Sequence, residues 1–154
     1  DEYCQNGILI AATNHHELLD SAIWRRFQTV IEMPKPELAE VASMIKNMPE
    51  FIDVSQIKPG QWKKVYDALL GLSYSDIKNI LNNMVKKLVL KDENKVKFTD
   101  ILVEAYLFKN HGNYTMEQMV QYMIDHGVSQ KQASLYFNVS TRQIKNCLER
   151  SEKN

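Results

Sequence analysis

Cysteine is almost missing from this chain. Among its 154 residues only Cys4 and Cys147, near opposite ends, carry a thiol. Two thiols with no Cys-x-x-Cys spacing and no histidine-rich neighbourhood argue against a disulfide framework and against a zinc site. They predict a protein of the reducing cytoplasm with no bound metal. Long apolar runs are missing too: none approaches the ~20 residues that a spanning helix needs, and no signal peptide opens the chain. No membrane partner is expected. Net charge is also absent, because 19 basic and 19 acidic residues cancel. Bulk charge therefore points neither to nucleic acid nor to a membrane surface. The chain begins with Asp1 rather than Met, which suggests a processed or truncated sequence.

What is present suffices for a packed core: 44% of the residues are hydrophobic, and the length allows one ordinary domain or two small ones. The cancelled charge is unevenly spread. Residues 1–50 hold eight acidic and four basic side chains, and residues 51–154 hold eleven and fifteen, so the balance runs from −4 to +4. The C-terminal part is the one suited to face an anion.

Strand signals occur only at the start. "GILIAA" (Gly7 to Ala12) reads as a strand buried on both faces of a parallel sheet, and "TVIEMP" (Thr29 to Pro34) as a second, closed by the Pro-Lys-Pro turn. Helical spacing between them predicts a strand–helix–strand crossover. Two strands do not make a stable sheet, so their partners must lie outside this sequence. Beyond Pro36 the chain reads as helices: Glu37 to Met48, Gln61 to Gly71, a long one capped by Ser73, and "FTDILVEAYLFK", capped by its Thr or Asp. The break at "NHGNY" (Asn110 to Tyr114) marks a domain boundary.

Three short amphipathic helices follow. The join between the last two reads "FNVS", Phe137 to Ser140, with small residues Ala133 and Ser134 placed for a close helix crossing. Asn138 is suited to a left-handed turn residue and Ser140 to a cap, the requirements of a helix-turn-helix. With Ile144 and Leu148 inward, Thr141, Arg142, Gln143, Lys145, Asn146 and Arg150 point outward, a set able to contact phosphates and base edges. A three-helix bundle that uses the same turn only for packing, or for binding protein, fits the same pattern.

"LLDSAIWRRF" (Leu18 to Phe27) sets two permanent planar cations side by side, which demands an anion. Within the chain Asp20 or Glu32 could serve. The longer stretch "GILIAATNHHELLDSAIWRRFQTVIEMPKP" resembles the AAA ATPases. In that family a buried strand ends in Ala-Thr-Asn, a Leu-Asp-x-Ala-x-x-Arg-Arg-Phe helix follows, and a last strand leads to a Pro. "GLSYSDIKNIL" (Gly71 to Leu81) similarly matches the family's lid helix, which opens Gly-Tyr-Ser-Gly-x-Asp-Ile. The resemblance covers roughly the first hundred residues.

The resemblance implies roles. Asn14 is the sensor at the strand tip that reaches the γ-phosphate or attacking water. Arg25 and Arg26 are paired arginine fingers, completing the nucleotide site of a neighbouring subunit in a ring, typically a hexamer. Gly71, Tyr74 and Ser75 lie where the lid approaches adenine, with Lys78 the nearest cation to a missing second arginine sensor. The cofactors so implied are ATP and Mg2+ in a full-length protein. This chain has no G-x-x-x-x-G-K-[ST] loop to cradle phosphates and no apolar run ending in Asp-Glu to hold magnesium; Asp1-Glu2 stands too close to the Ala-Thr-Asn segment. It therefore reads as the C-terminal part of an ATPase, inactive and nucleotide-free by itself.

The expected architecture is mainly α. Residues 1–36 form the end of an AAA α/β core, 37–109 a helical lid, and 110–154 a helix-turn-helix-like unit. Two functions stay open: a ring ATPase that remodels a protein or nucleoprotein and is tethered to DNA by its tail, or one whose tail is a protein-interaction module.

Overall fold

Residues 7–151 are described by the computed structural model, and they hold helices but no β-strand. Contacts divide the chain into two units, Asp1–Pro34 and Lys35–Asn154. Cys4 and Asp1-Glu2 lie outside the described residues.

In the first unit the two expected strands do not form. Ile8, Ile10, Ile31 and Met33 are 93%, 86%, 78% and 88% exposed, and residues 7–12 and 29–34 exchange no backbone hydrogen bonds. The physical reason is the one that makes isolated strands unstable: without neighbours on either side, their amides gain nothing by pairing with each other rather than with water. The helix expected between them is also shortened. A 3-10 turn at His16–Leu18 precedes α1 (Ser21–Trp24), because Asp20 starts a helix rather than continuing one. Its carboxylate accepts the Ala22 N–H at 2.9 Å, and its own backbone is extended at φ −59°, ψ 143°.

Among its described residues the second unit holds seven α-helices and a 3-10 turn at Pro59–Gln61: α2 (Leu38–Lys46), α3 (Trp62–Leu69), α4 (Tyr74–Leu90), α5 (Phe98–Lys109), α6 (Met116–Asp125), α7 (Gln130–Phe137) and α8 (Thr141–Ser151). The apolar stripes read from the sequence become its core. Val41 and Ile45 of α2, Val65 and Leu69 of α3, and Ile77, Ile80 and Met84 of α4 are all buried. The helix α5 is apolar almost all round its first two turns and is accordingly central, packed by α3, α4 and α6. Two loops before α3 and α5 meet in a single parallel bridge, Asp53 to Lys95.

Caps set the helix ends. Ser73 accepts the Asp76 N–H at 3.2 Å while Asp76 accepts the Ser73 N–H, a reciprocal box. At α5 the capping residue is Lys97 rather than Thr99 or Asp100. Asp100 contributes from inside the first turn, accepting the Lys97 N–H at 2.8 Å. The segment 110–114 is a tight turn in which His111 and Gly112 take φ of 52° and 79°. Helices on both sides of it pack on α5 within the one unit.

Among α6, α7 and α8, the last packs against both others. Asn138 adopts the left-handed conformation, φ 53° and ψ 45°, and the Val139 N–H donates back to the Ser134 carbonyl at 3.0 Å to close α7. Ala133, Ser134 and Ile144 are buried, so the small pair stands where α7 is most enclosed.

Candidate functional site

Three groups of residues were singled out by sequence, and each can now be placed. The first group belongs to the N-terminal unit. Asn14 is exposed in a bend after the extended segment, and Arg25 ends α1 while Arg26 follows it in the turn. Both arginines are exposed, and neither forms an ion pair with a described residue. Asp20, their nearest sequence candidate, spends its carboxylate on capping α1. Trp24 and Phe27 flank the pair half-buried, and the Phe27 N–H donates to the Trp24 carbonyl at 3.3 Å across the turn. His15 and His16 are exposed, each within 3.5 Å of Glu17, and no metal-sized cluster of His, Cys, Asp or Glu forms among the described residues.

The second group stands at the start of α4. Gly71 has φ +82° and open space where a β-carbon would point, so the backbone there is freely approachable. Tyr74 and Ser75 are exposed in the first turn. One relation was invisible in the sequence: the Tyr74 phenol lies near the Glu40 carboxyl of α2. That nearness, more than the Glu37 N–H which Glu40 accepts at 2.8 Å, holds the Glu40 carboxyl below the usual carboxylate range and pushes the Tyr74 phenol up. Glu40 and Tyr74 are thirty-four positions apart, and nothing local announces the pairing.

The third group lies on α8. All six of its residues are exposed, as their spacing implies. Three of them, however, are engaged within the chain. Gln143 accepts the Ser140 N–H at 2.9 Å and is part of the α8 cap; Lys145 faces Glu149 at 4.0 Å; Arg150 faces Glu117 of α6 at 3.8 Å. Thr141, Arg142 and Asn146 have no such partners among the described residues. Surface pairs of this kind are worth about 0–1 kcal/mol and exchange readily for phosphate contacts. Cys147 beneath this face is buried, and burial raises its thiol pKa.

The geometry thus defines a helical unit with a polar α8 face, a glycine-opened helix start, and a separate segment that displays two uncompensated arginines. Over 104 residues the chain is 31% identical to y4kL, an uncharacterized AAA family ATPase of Sinorhizobium fredii. The match takes in 65% of this chain but only 29% of that protein's length, and it supports a general link to the AAA family ATPases. No family model matches the chain, and no solved structure does. No helix among the described residues is long and apolar enough to cross a membrane.

Proposed function

We propose that this chain is the sensor, finger and lid portion of an AAA ATPase, with a C-terminal module that selects where the ATPase acts. The observation that carries the reading is Arg25–Arg26: two adjacent, exposed arginines, eleven positions after an Ala-Thr-Asn segment, with no carboxylate partner among the described residues. A cation held ready for another molecule's anion has this form; one that stabilises its own fold is usually paired.

In this reading phosphoryl transfer develops charge on the γ-phosphate oxygens, and Arg25 and Arg26 meet that charge across a subunit interface. Fingers supplied in trans contribute on the order of 10³–10⁵ in rate. Asn14 orients the attacking water or the γ-phosphate through its amide. Gly71 lets backbone approach the base, while Tyr74 and Ser75 border it. The exposure of Tyr74 and the open space at Gly71 fit that placement. Mg2+, when bound with ATP, neutralises phosphate charge; no residue of this chain is assigned to hold it. Hydrolysis that depends on a neighbour's arginines depends on assembly, so a ring, typically a hexamer, remodels a protein or nucleoprotein target.

For the tail we favour DNA tethering through Thr141, Arg142 and Asn146, with Lys145 and Arg150 exchanging their carboxylates for phosphates. The cap and ion pairs that occupy Gln143, Lys145 and Arg150 favour a second reading, a protein-interaction module. ATP hydrolysis by the full-length protein tests the first part: Arg25→Ala and Arg26→Ala should each lower kcat at least about 10²-fold while nucleotide binding persists. Anisotropy with a labelled random duplex tests the tail. With three cations on α8, binding should weaken with salt at a log–log slope of about −3. Absence of binding at low salt assigns the tail to protein.

A further inference from the structure

The 23 residues from His126 to Leu148 contain no carboxylate and three cations, Lys131, Arg142 and Lys145. No other acid-free run in the chain is as long. It takes in α7, the left-handed turn at Asn138 and the first two turns of α8. In a chain with no net charge, this is where an anion meets the least repulsion.

The outward face of α8 is also free of apolar groups. Ile144 and Cys147 are buried and Leu148 is half-buried, while every exposed residue of the helix is polar or charged. A protein-binding surface draws its energy from a buried apolar and aromatic centre, which this face lacks. A polar, cationic helix face about 10–12 Å wide matches the major groove of duplex DNA. That groove is about 12 Å across and is floored by hydrogen-bonding base edges.

We propose that α8 reads duplex DNA by sequence rather than holding it by charge alone, with Arg142 and Asn146 as the base-reading pair. The inference rests on the DNA reading of the tail and deepens it. Labour on the face is divided. Gln143 serves the Ser140 cap, Lys145 lies 4.0 Å from Glu149, and Arg150 lies 3.8 Å from Glu117. The Arg142 guanidinium and the Asn146 amide are left without a partner among the described residues, and both are planar groups with base counterparts. Arginine matches O6 and N7 of guanine, and asparagine N6 and N7 of adenine, each bidentately. Four residues apart, the two stand on one side of α8, separated by about 6 Å along its axis. Base pairs stack about 3.4 Å apart, so the pair spans at most two base steps. The element read is therefore a guanine and an adenine within two steps of each other. Lys131, in the first turn of α7, is exposed and forms no ion pair with a described residue. It meets the phosphate backbone, which the first helix of such a unit crosses.

The test incubates the whole chain at low salt with DNA duplexes that share a randomised core, and sequences the bound and free fractions. Bound duplexes should be enriched about five-fold or more in a short motif that holds a guanine and an adenine within two steps. Asn146→Ala should erase the preference at the adenine and Arg142→Ala that at the guanine. Each should lower affinity for the selected duplex about 5- to 100-fold. Lys131→Ala should instead weaken selected and random duplexes alike and reduce the log–log salt slope by about one. All three side chains are exposed, so the variants should keep the wild-type melting temperature. Salt-sensitive binding with no enriched motif, or a motif that survives both the Arg142 and the Asn146 variants, overturns the inference and leaves the DNA tether standing. No binding to any duplex overturns the inference together with the DNA reading, and assigns the face to a protein partner.

Discussion

Tyr122 carries its hydroxyl into the interior of the C-terminal helices, where that oxygen finds no hydrogen-bond partner among the described residues. Its ring lies against Tyr106 and His126, with centroids 4.8 and 4.1 Å away, and burial pushes its phenol up to about 12. A buried unpaired hydroxyl costs roughly 1–3 kcal/mol. Tyr122→Phe should therefore leave stability unchanged or raise it by up to about 1 kcal/mol, measured by urea denaturation. Gly127 gives the opposite expectation. It holds φ +80° at the end of α6, and the Lys64 ammonium occupies the place a β-carbon would take. Lys64 can swing aside, so the backbone strain dominates, and Gly127→Ala should cost about 1–2 kcal/mol. Asp100 supplies the pH dependence. Burial, the largest cause, raises its folded-state pKa above the ordinary 3.8, despite the Lys97 N–H that it accepts. An acid that binds its proton more tightly when folded weakens the fold as pH rises from 3.8 through the raised value, and the penalty is complete above it. Across that acidic window wild-type stability should fall relative to Asp100→Asn, as read from thermal melts.

At the scale of elements, legibility depended on distance along the chain. Asn138 was readable as a left-handed turn residue, and Ser73 as a cap, because residue type and immediate neighbours decide both. The apolar stripes of α2, α3 and α4 were readable because burial repeats with the helical period. The strands were not. Their apolar runs are suited to a sheet interior, but no sheet is supplied within residues 7–34, and the side chains stay exposed. On α8 the outward face was legible, and the Gln143 cap and the Lys145–Glu149 pair each span four residues or fewer, but the Arg150–Glu117 pair was not legible, because it exists only where α6 and α8 pack together. The distinction has a measurable consequence. Arg142→Ala should lower duplex binding at unchanged melting temperature. Gln143→Ala should remove its hydrogen bond to the Ser140 N–H and cost about 0.5–1 kcal/mol of stability.

For the whole molecule, every buried side chain among the described residues lies at Pro36 or beyond. The unit from Lys35 carries the core, and the preceding residues carry the arginine pair. Limited proteolysis should therefore cut first within residues 7–34, where extended backbone lacks partners, and leave a fragment that begins near Lys35. The arginines belong to a segment whose apolar side chains are left exposed.

The central claim is that Arg25 and Arg26 serve a nucleotide held by another subunit. Its most direct test mixes two inactive forms of the full-length protein. One carries Arg25→Ala with Arg26→Ala; the other lacks the phosphate-binding lysine of the ATPase half. If the fingers act in trans, mixed assemblies contain interfaces that join an intact nucleotide site to intact arginines, and ATP hydrolysis should reappear at a fraction of the wild-type rate. Hydrolysis that stays at the level of the separate variants, in mixtures shown to co-assemble, would contradict the account.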